Sequence, residues 1–317
     1  MKRFITIVLT VLAVAVALDF AIGKVMYSML SQISKQGTMG RTYFALNEVN
    51  TPVVIVGSSR AHHHYVTQMV EDSLEMPAYN VGRNMCYFSF NCCVVNSILD
   101  RYSPSLIIWE TWKDSLFGER EDPLGDLYPY YQKNSWVTDV LKSELSWTEK
   151  VRICSKVYRY NSVIHRIIMR YLGRESFVDD TEKGYFPLPP KKPLKPLELR
   201  SESWEQEELD EVKVERFRSI LSRAREKGVK MIVVDSPKYK ESIGRCASAD
   251  VMKSLCEEYG ARFFDNTQMS YFLERPELFN DALHLNADGS KVYTEMFLEE
   301  LGGRECHEES DKRIITR

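Results

Sequence analysis

The sequence has no excess of basic charge: 42 Lys and Arg against 45 Asp and Glu over 317 residues leave a formal net charge of −3. The electrostatic footprint of a nucleic-acid binder is therefore missing, and no nucleic acid is expected as a partner. Metal-site spacing is missing too. Seven cysteines (Cys86, Cys92, Cys93, Cys154, Cys246, Cys256, Cys306) form no CxxC pair and no Cys–His zinc pattern, so neither a metal nor a cofactor is expected. Their odd number does not define a disulfide framework. Cys246 with Cys256 is one candidate pair in an oxidising compartment, whereas Cys92 and Cys93 lie in an apolar stretch and read as small buried hydrophobes. There is no internal repeat. With 44% hydrophobic residues, the chain can still bury a substantial core.

One long apolar run is present. Phe4 to Leu18 carries no charge, follows Lys2 and Arg3, and continues past Asp19 through Phe20, Ala21 and Ile22. At about 1.5 Å per helical residue, the stretch Phe4 to Ile22 matches the ~30 Å hydrocarbon core of a bilayer. Residues 1–23 are therefore read as a signal anchor with its basic end inside, Asp19 near the outer interface, and the remaining chain extracytoplasmic, periplasmic or at the cell surface. A cleaved signal peptide ending at Ala15-Val16-Ala17 is the alternative. Residues 24–50 read as a stalk.

From residue 51 the pattern alternates. The β-branched run Pro52-Val53-Val54-Ile55-Val56 stops at Gly57, as a buried parallel strand should, and Ser58-Ser59-Arg60-Ala61 opens a helix expected to reach about Leu74. Strands are expected at 78–81, 106–109, 229–234 and 261–265, with helices at 88–102, 205–227, 250–259 and 287–301 between and after them. This is an α/β pattern, and it predicts a flavodoxin-like, doubly wound parallel sheet of about five strands spanning 51–302. Residues 113–205 break the pattern with aromatics, a helical piece near 151–171 and the proline-rich Phe186 to Pro193. They read as an insertion after the third strand, covering one sheet edge. A flexible tail is expected at 303–317.

Ser59 follows the first core strand and precedes a helix, so its hydroxyl stands at the strand's carboxyl end, near the positive end of a helix dipole. The glycine two residues after the serine that an α/β-hydrolase elbow requires is missing, because Arg60 and Ala61 follow. A serine nucleophile needs a positioned base. His284, in Asn280-Asp281-Ala282-Leu283-His284, precedes the last helix, and Asp281 three residues earlier can orient its imidazole.

Gly57-Ser58-Ser59 resembles the GDS block of the SGNH/GDSL hydrolases with Ser in the middle position, and Asp281-Ala282-Leu283-His284 is similar to their closing DxxH block. Tyr79-Asn80-Val81-Gly82 resembles the second block. The resemblance implies Ser59 as nucleophile, His284 as base, Asp281 as its orienter, and the amides of Ser59 and Gly82 as oxyanion donors. It departs at the third block, where Glu110-Thr111-Trp112 offers no asparagine. Asn84 is the candidate replacement and Arg60 a candidate substrate-binding cation.

Plainer readings compete with each of these. A Ser-Ser pair after a strand can cap a helix, and Asp281 can cap a turn. His62, His63 and His64 point about 100° apart on a helix, so they cannot converge on one metal and read as surface residues. The insertion's aromatics, Tyr128, Tyr130, Tyr131 and Trp136, could stack on sugar rings, although such residues usually pack a core. The expected function is an esterase or O-acyltransferase acting on acyl groups, acetyl first, of a glycan or envelope polymer. The competing expectation is a silent, membrane-anchored glycan-binding or scaffold protein of the same fold.

Overall fold

The computed structural model describes residues 1–33, 35, 37–118, 123–174, 182–190, 197–204 and 207–315, with side chains as far as residue 302. Part of the proline-rich stretch, the start of the helix expected from residue 205, and the Cys306 side chain lie outside the described residues. In chain order the helices are α1 (Lys2–Leu30), α2 (Gly37–Asn47), α3 (Ser59–His64), α4 (Thr67–Leu74), α5 (Phe88–Arg101), α6 (Ser135–Glu144), α7 (Trp147–Arg152), α8 (Ile164–Tyr171), α9 (Glu211–Glu226), α10 (Ala247–Tyr259), α11 (Ser270–Leu273) and α12 (Ala287–Ile315). The strands are β1 (Val53–Val56), β2 (Ala78–Asn80), β3 (Leu106–Glu110), β4 (Arg200–Glu202), β5 (Lys230–Asp235), β6 (Lys240–Ser242) and β7 (Arg262–Asp265).

Five strands form one parallel sheet in the order β2-β1-β3-β5-β7, with Ile55 beside Ile108 and Ile108 beside Ile232. Every residue of β1 and β3 is buried, which is why these strands read as continuous apolar runs rather than as an alternation. Their side chains still divide by parity. Val54, Val56, Ile107 and Trp109 pack with α5, α9 and α10, whereas Val53, Ile55, Leu106 and Ile108 pack with Ala61, Val70, Tyr293 and Phe297 on the opposite face. Helices therefore cover both faces. β4 and β6 make a separate parallel pair.

Three expectations change. The helix expected from Ser58 to Leu74 is broken at Tyr65 and Val66: Tyr65 is extended, with its hydroxyl held by Glu110, and the Val66 amide donates to Thr294 Oγ1 at 3.0 Å instead of continuing the helix. Residues 24–50 are not a free stalk. α1 runs on to Leu30, α2 buries Phe44, Ala45 and Leu46, and buried Arg41 donates to the carbonyls of Asn80, Gly82 and Gly184. The final helix passes Leu301 and extends to Ile315, through the segment expected to be a flexible tail.

α1 is long and apolar enough to cross a membrane. Its far end is attached to the rest of the protein. Asp19 accepts hydrogen bonds from Ser155 Oγ (2.6 Å) and from the amides of Lys156 (2.7 Å) and Val157 (2.9 Å). Gly23 lets the two segments meet, since a Cβ there would lie 2.4 Å from Lys156 Cβ. Cys246 and Cys256 are both buried free thiols, so the candidate disulfide between them is absent. Cys256 lies within α10, whereas Cys246 only caps its start. Cys92 and Cys93 are buried in the core with α5.

Candidate functional site

The carboxyl ends of the sheet strands carry the polar groups. Gly57, immediately after β1, has φ +152°, and a Cβ there would lie 2.4 Å from the Glu110 carbonyl oxygen, so the turn leading to Ser59 requires glycine. Ser59 is the first residue of α3, where an amide N–H has no acceptor within its own helix. From the far end of the fold, the loop before α12 brings His284 to it. Ser59 Oγ and His284 Nε2 are 2.7 Å apart.

Asp281 sits on the other side of the imidazole, with its carboxylate oxygens 2.9 and 3.0 Å from His284 Nδ1. A carboxylate can only accept, so Nδ1 carries the hydrogen and Nε2 is left to accept from the serine hydroxyl. Burial alone would raise the Asp281 carboxyl. Hydrogen bonds from the His284 ring and from the Leu283 and His284 amides outweigh burial and hold it below its ordinary value.

The remaining predicted residues are placed differently. Arg60 is fully buried, paired with Asp235 at 2.5 Å and Glu110 at 3.1 Å, and lies over the Trp112 ring. It cannot reach a substrate; it anchors the turn from beneath. Desolvation would lower its guanidinium pKa, but the two carboxylates more than reverse that. Glu110, where the third block would offer asparagine nearby, is pushed up to about 7 by burial, although Arg60 opposes the shift. The Gly82 amide donates to Asn80 Oδ1 at 2.9 Å, so in this arrangement it is not a free oxyanion donor. Asn84 is exposed, and its Oδ1 accepts from His62 Nδ1 at 3.2 Å.

The three consecutive histidines are buried, not at the surface. His62 stacks on His63. His63 donates from Nδ1 to the Phe186 carbonyl at 2.8 Å, and its ring stands edge-on to His284 with centroids 5.8 Å apart. The Nε2 of His64 accepts from the Leu285 amide at 3.0 Å, which makes its Nδ1 the donor to Ser236 Oγ at 2.8 Å. Desolvation lowers all three, to about 2 for His62 and about 4 for His63. Of the three, His63 and His64 stand edge-on to the His284 ring as neutral neighbours.

Sequence reasoning missed two features. One is the buried Arg60–Glu110–Asp235 cluster, whose only sequence signal is an acidic residue directly at the end of two apolar strands. The other is the strap formed by Phe186 to Pro189. Phe186 N donates to the His62 carbonyl (3.0 Å), the Leu188 carbonyl accepts from Ala287 N (2.8 Å), and the Pro189 carbonyl accepts from Asn280 Nδ2 (3.0 Å). The strap thus ties α3 to the loop bearing Asp281 and His284. The insertion's aromatics turn to packing: Tyr130 and Tyr131 are buried, Tyr128 stacks on Tyr158, and Trp136 donates to Asp100 under the Arg223 guanidinium. Among the described residues no cluster of His, Cys, Asp and Glu could hold a metal ion. Compared with known proteins, the chain matches no family model and no curated protein.

Proposed function

We propose that this chain is a membrane-anchored serine esterase or O-acyltransferase of SGNH type, with Ser59 as nucleophile, His284 as general base and Asp281 as its orienter. The observation that carries the reading is the Ser59 Oγ–His284 Nε2 distance of 2.7 Å with Asp281 on the opposite ring nitrogen. Two segments 225 residues apart supply hydroxyl, imidazole and carboxylate in the order that acyl transfer requires. Counted within the sheet, the strand order reads 2-1-3-4-5, the flavodoxin-like order, with residues 113–205 as an insertion. The site lies beyond the carboxyl ends of the strands, where such sheets place their ligands.

In this mechanism Ser59 Oγ attacks the ester carbonyl while His284 Nε2 takes its proton, and Asp281 stabilises the imidazolium. The tetrahedral oxyanion is met by the Ser59 amide; the Gly82 amide, the second donor that the resemblance implies, is engaged by Asn80 Oδ1. His284 then protonates the departing alcohol. Water or a sugar hydroxyl, deprotonated in turn by His284, resolves the acyl-enzyme. The substrate rests on the family resemblance and on location: an acyl ester, acetyl first, on a glycan or envelope polymer reached by an extracytoplasmic domain tethered through α1.

A silent, anchored binding or scaffold protein is the second reading, favoured by the engagement of the Gly82 amide with Asn80. A fluorophosphonate probe separates the two. The enzyme reading expects labelling of the wild-type protein and none of Ser59→Ala. A wild-type protein that stays unlabelled while folded would leave the scaffold reading standing.

A further inference from the structure

Beside the outer end of α1 lies a cleft of about 280 Å³, bounded by α1 on one side and residues 129–160 on the other. Four cations border it: Lys24, Lys133, Lys156 and Arg159. Three of them have neutral hydrogen-bond or ring partners. Lys133 Nζ lies 3.8 Å from the centroid of the Tyr27 ring, Lys156 Nζ donates to Gln132 Oε1 at 2.9 Å, and Arg159 donates to the Tyr131 and Ile153 carbonyls. No carboxylate lines the cleft among the described residues. Asp19, the nearest along α1, is occupied by three donors from the Ser155–Val157 turn.

The position of the cleft selects its ligand. The apolar run of α1 ends at Ile22, so Gly23 to Tyr27, at about 1.5 Å per residue, enter the headgroup layer of a bilayer spanned by that run. We infer that this cleft is a binding site for the phosphate of an anionic phospholipid headgroup, held by Lys24, Lys133, Lys156 and Arg159 while the acyl chains lie along α1. The inference rests on reading α1 as a membrane anchor and is independent of the chemistry assigned to Ser59. Burial lowers the Lys156 pKa, and the neighbouring Arg159 and Lys133 lower it further while Asp19 opposes them, the signature of cations gathered in excess of anions.

The test uses the full-length protein in non-ionic detergent, titrated with phosphatidylglycerol, phosphatidylcholine or inorganic phosphate, with retained lipid counted by native mass spectrometry and the melting temperature followed in parallel. One retained phosphatidylglycerol and a raised melting temperature are expected, with neither effect from phosphatidylcholine. The Lys24→Glu/Lys133→Glu double variant, which removes no hydrogen bond described above, should weaken retention by about tenfold or more. Lys24→Arg/Lys133→Arg should retain it, as should Lys253→Glu on α10. Equal retention of both lipids, or unchanged retention in the double glutamate variant, overturns the site. An equal rise in melting temperature with inorganic phosphate alone overturns the lipid assignment. Release of the wild-type protein from membranes by alkaline carbonate would instead remove the anchor reading, and loss of Ser59 labelling would affect neither result.

Discussion

Acidification should destabilise this protein through histidines that do not themselves attack substrate. His62 and His63 are neutral in the fold, held at about 2 and about 4 by burial, against an ordinary value of 6.5. Between pH 7 and pH 5 the unfolded chain takes up a proton on each while the folded one does not, so stability falls as pH drops below 6.5. Each contributes a loss of about 2 kcal/mol over that interval, about 4 together. His64, fully buried and lowered in the same direction, adds to the loss. Glu110 acts the other way. Its carboxyl is raised from 4.5 to about 7, so the cost of burying its charge, present at pH 7 and above, is relieved as pH falls toward 4.5. That returns about 2 kcal/mol, and Asp235, raised in the same direction by burial, offsets the His64 contribution, leaving a net loss of about 2 kcal/mol at pH 5. The assay is urea denaturation of the full-length protein in non-ionic detergent, followed by tryptophan fluorescence at pH 7 and pH 5. A midpoint that is unchanged or higher at pH 5 would refute the assignment of neutral, desolvated histidines. His63→Gln should reduce the pH dependence even if it lowers the midpoint at both pH values.

Other substitutions probe the remaining contacts. On the proposed esterase reading, Asp281→Asn should leave the fold intact and reduce ester turnover by about 10⁴-fold, because the amide favours the wrong imidazole tautomer; full activity in a purified variant would remove Asp281 from its proposed role. Arg60→Met leaves Glu110 and Asp235 buried without their cation and should cost about 3–5 kcal/mol, read as a lowered urea midpoint. If Arg60 were instead a substrate ligand, Arg60→Met would raise KM at unchanged stability. Gly23→Val forces a side chain into Lys156 and should loosen α1 from the Ser155–Val157 turn, exposing that turn to limited proteolysis without altering Ser59 labelling. Unaltered proteolysis would show that this packing does not hold α1.

The local sequence determined the parts that depend on short-range periodicity. Continuous apolar runs at 53–56, 106–109 and 231–234 specify strands buried on both faces, and Phe4 to Ile22 specifies an apolar helix, because hydrophobic patterning is a property of neighbouring residues. The Gly57 turn was legible for the same reason, and Asp281-Ala282-Leu283-His284 placed a carboxylate and an imidazole in mutual reach within one turn of chain. Residues 24–47 were not legible as part of the body, because their buried face includes Arg41, whose partners are carbonyls 39 or more positions away. Nor did sequence distinguish Arg60 as a structural cation from Arg60 as a ligand for substrate. That depends on Glu110 and Asp235 arriving from two other strands, and on a desolvated site in which an arginine must meet carboxylates. The histidine triplet shows the same limit: helical spacing excluded a shared metal, but only tertiary packing against Phe186, Ser236 and Leu285 decided that all three are buried and neutral. Local pattern thus marked the five strands of the sheet and the apolar helix, whereas the break at Tyr65, the packing of residues 24–47, the meeting of Ser59 with His284, and the cations gathered beside α1 required the chain to close on itself over long distances.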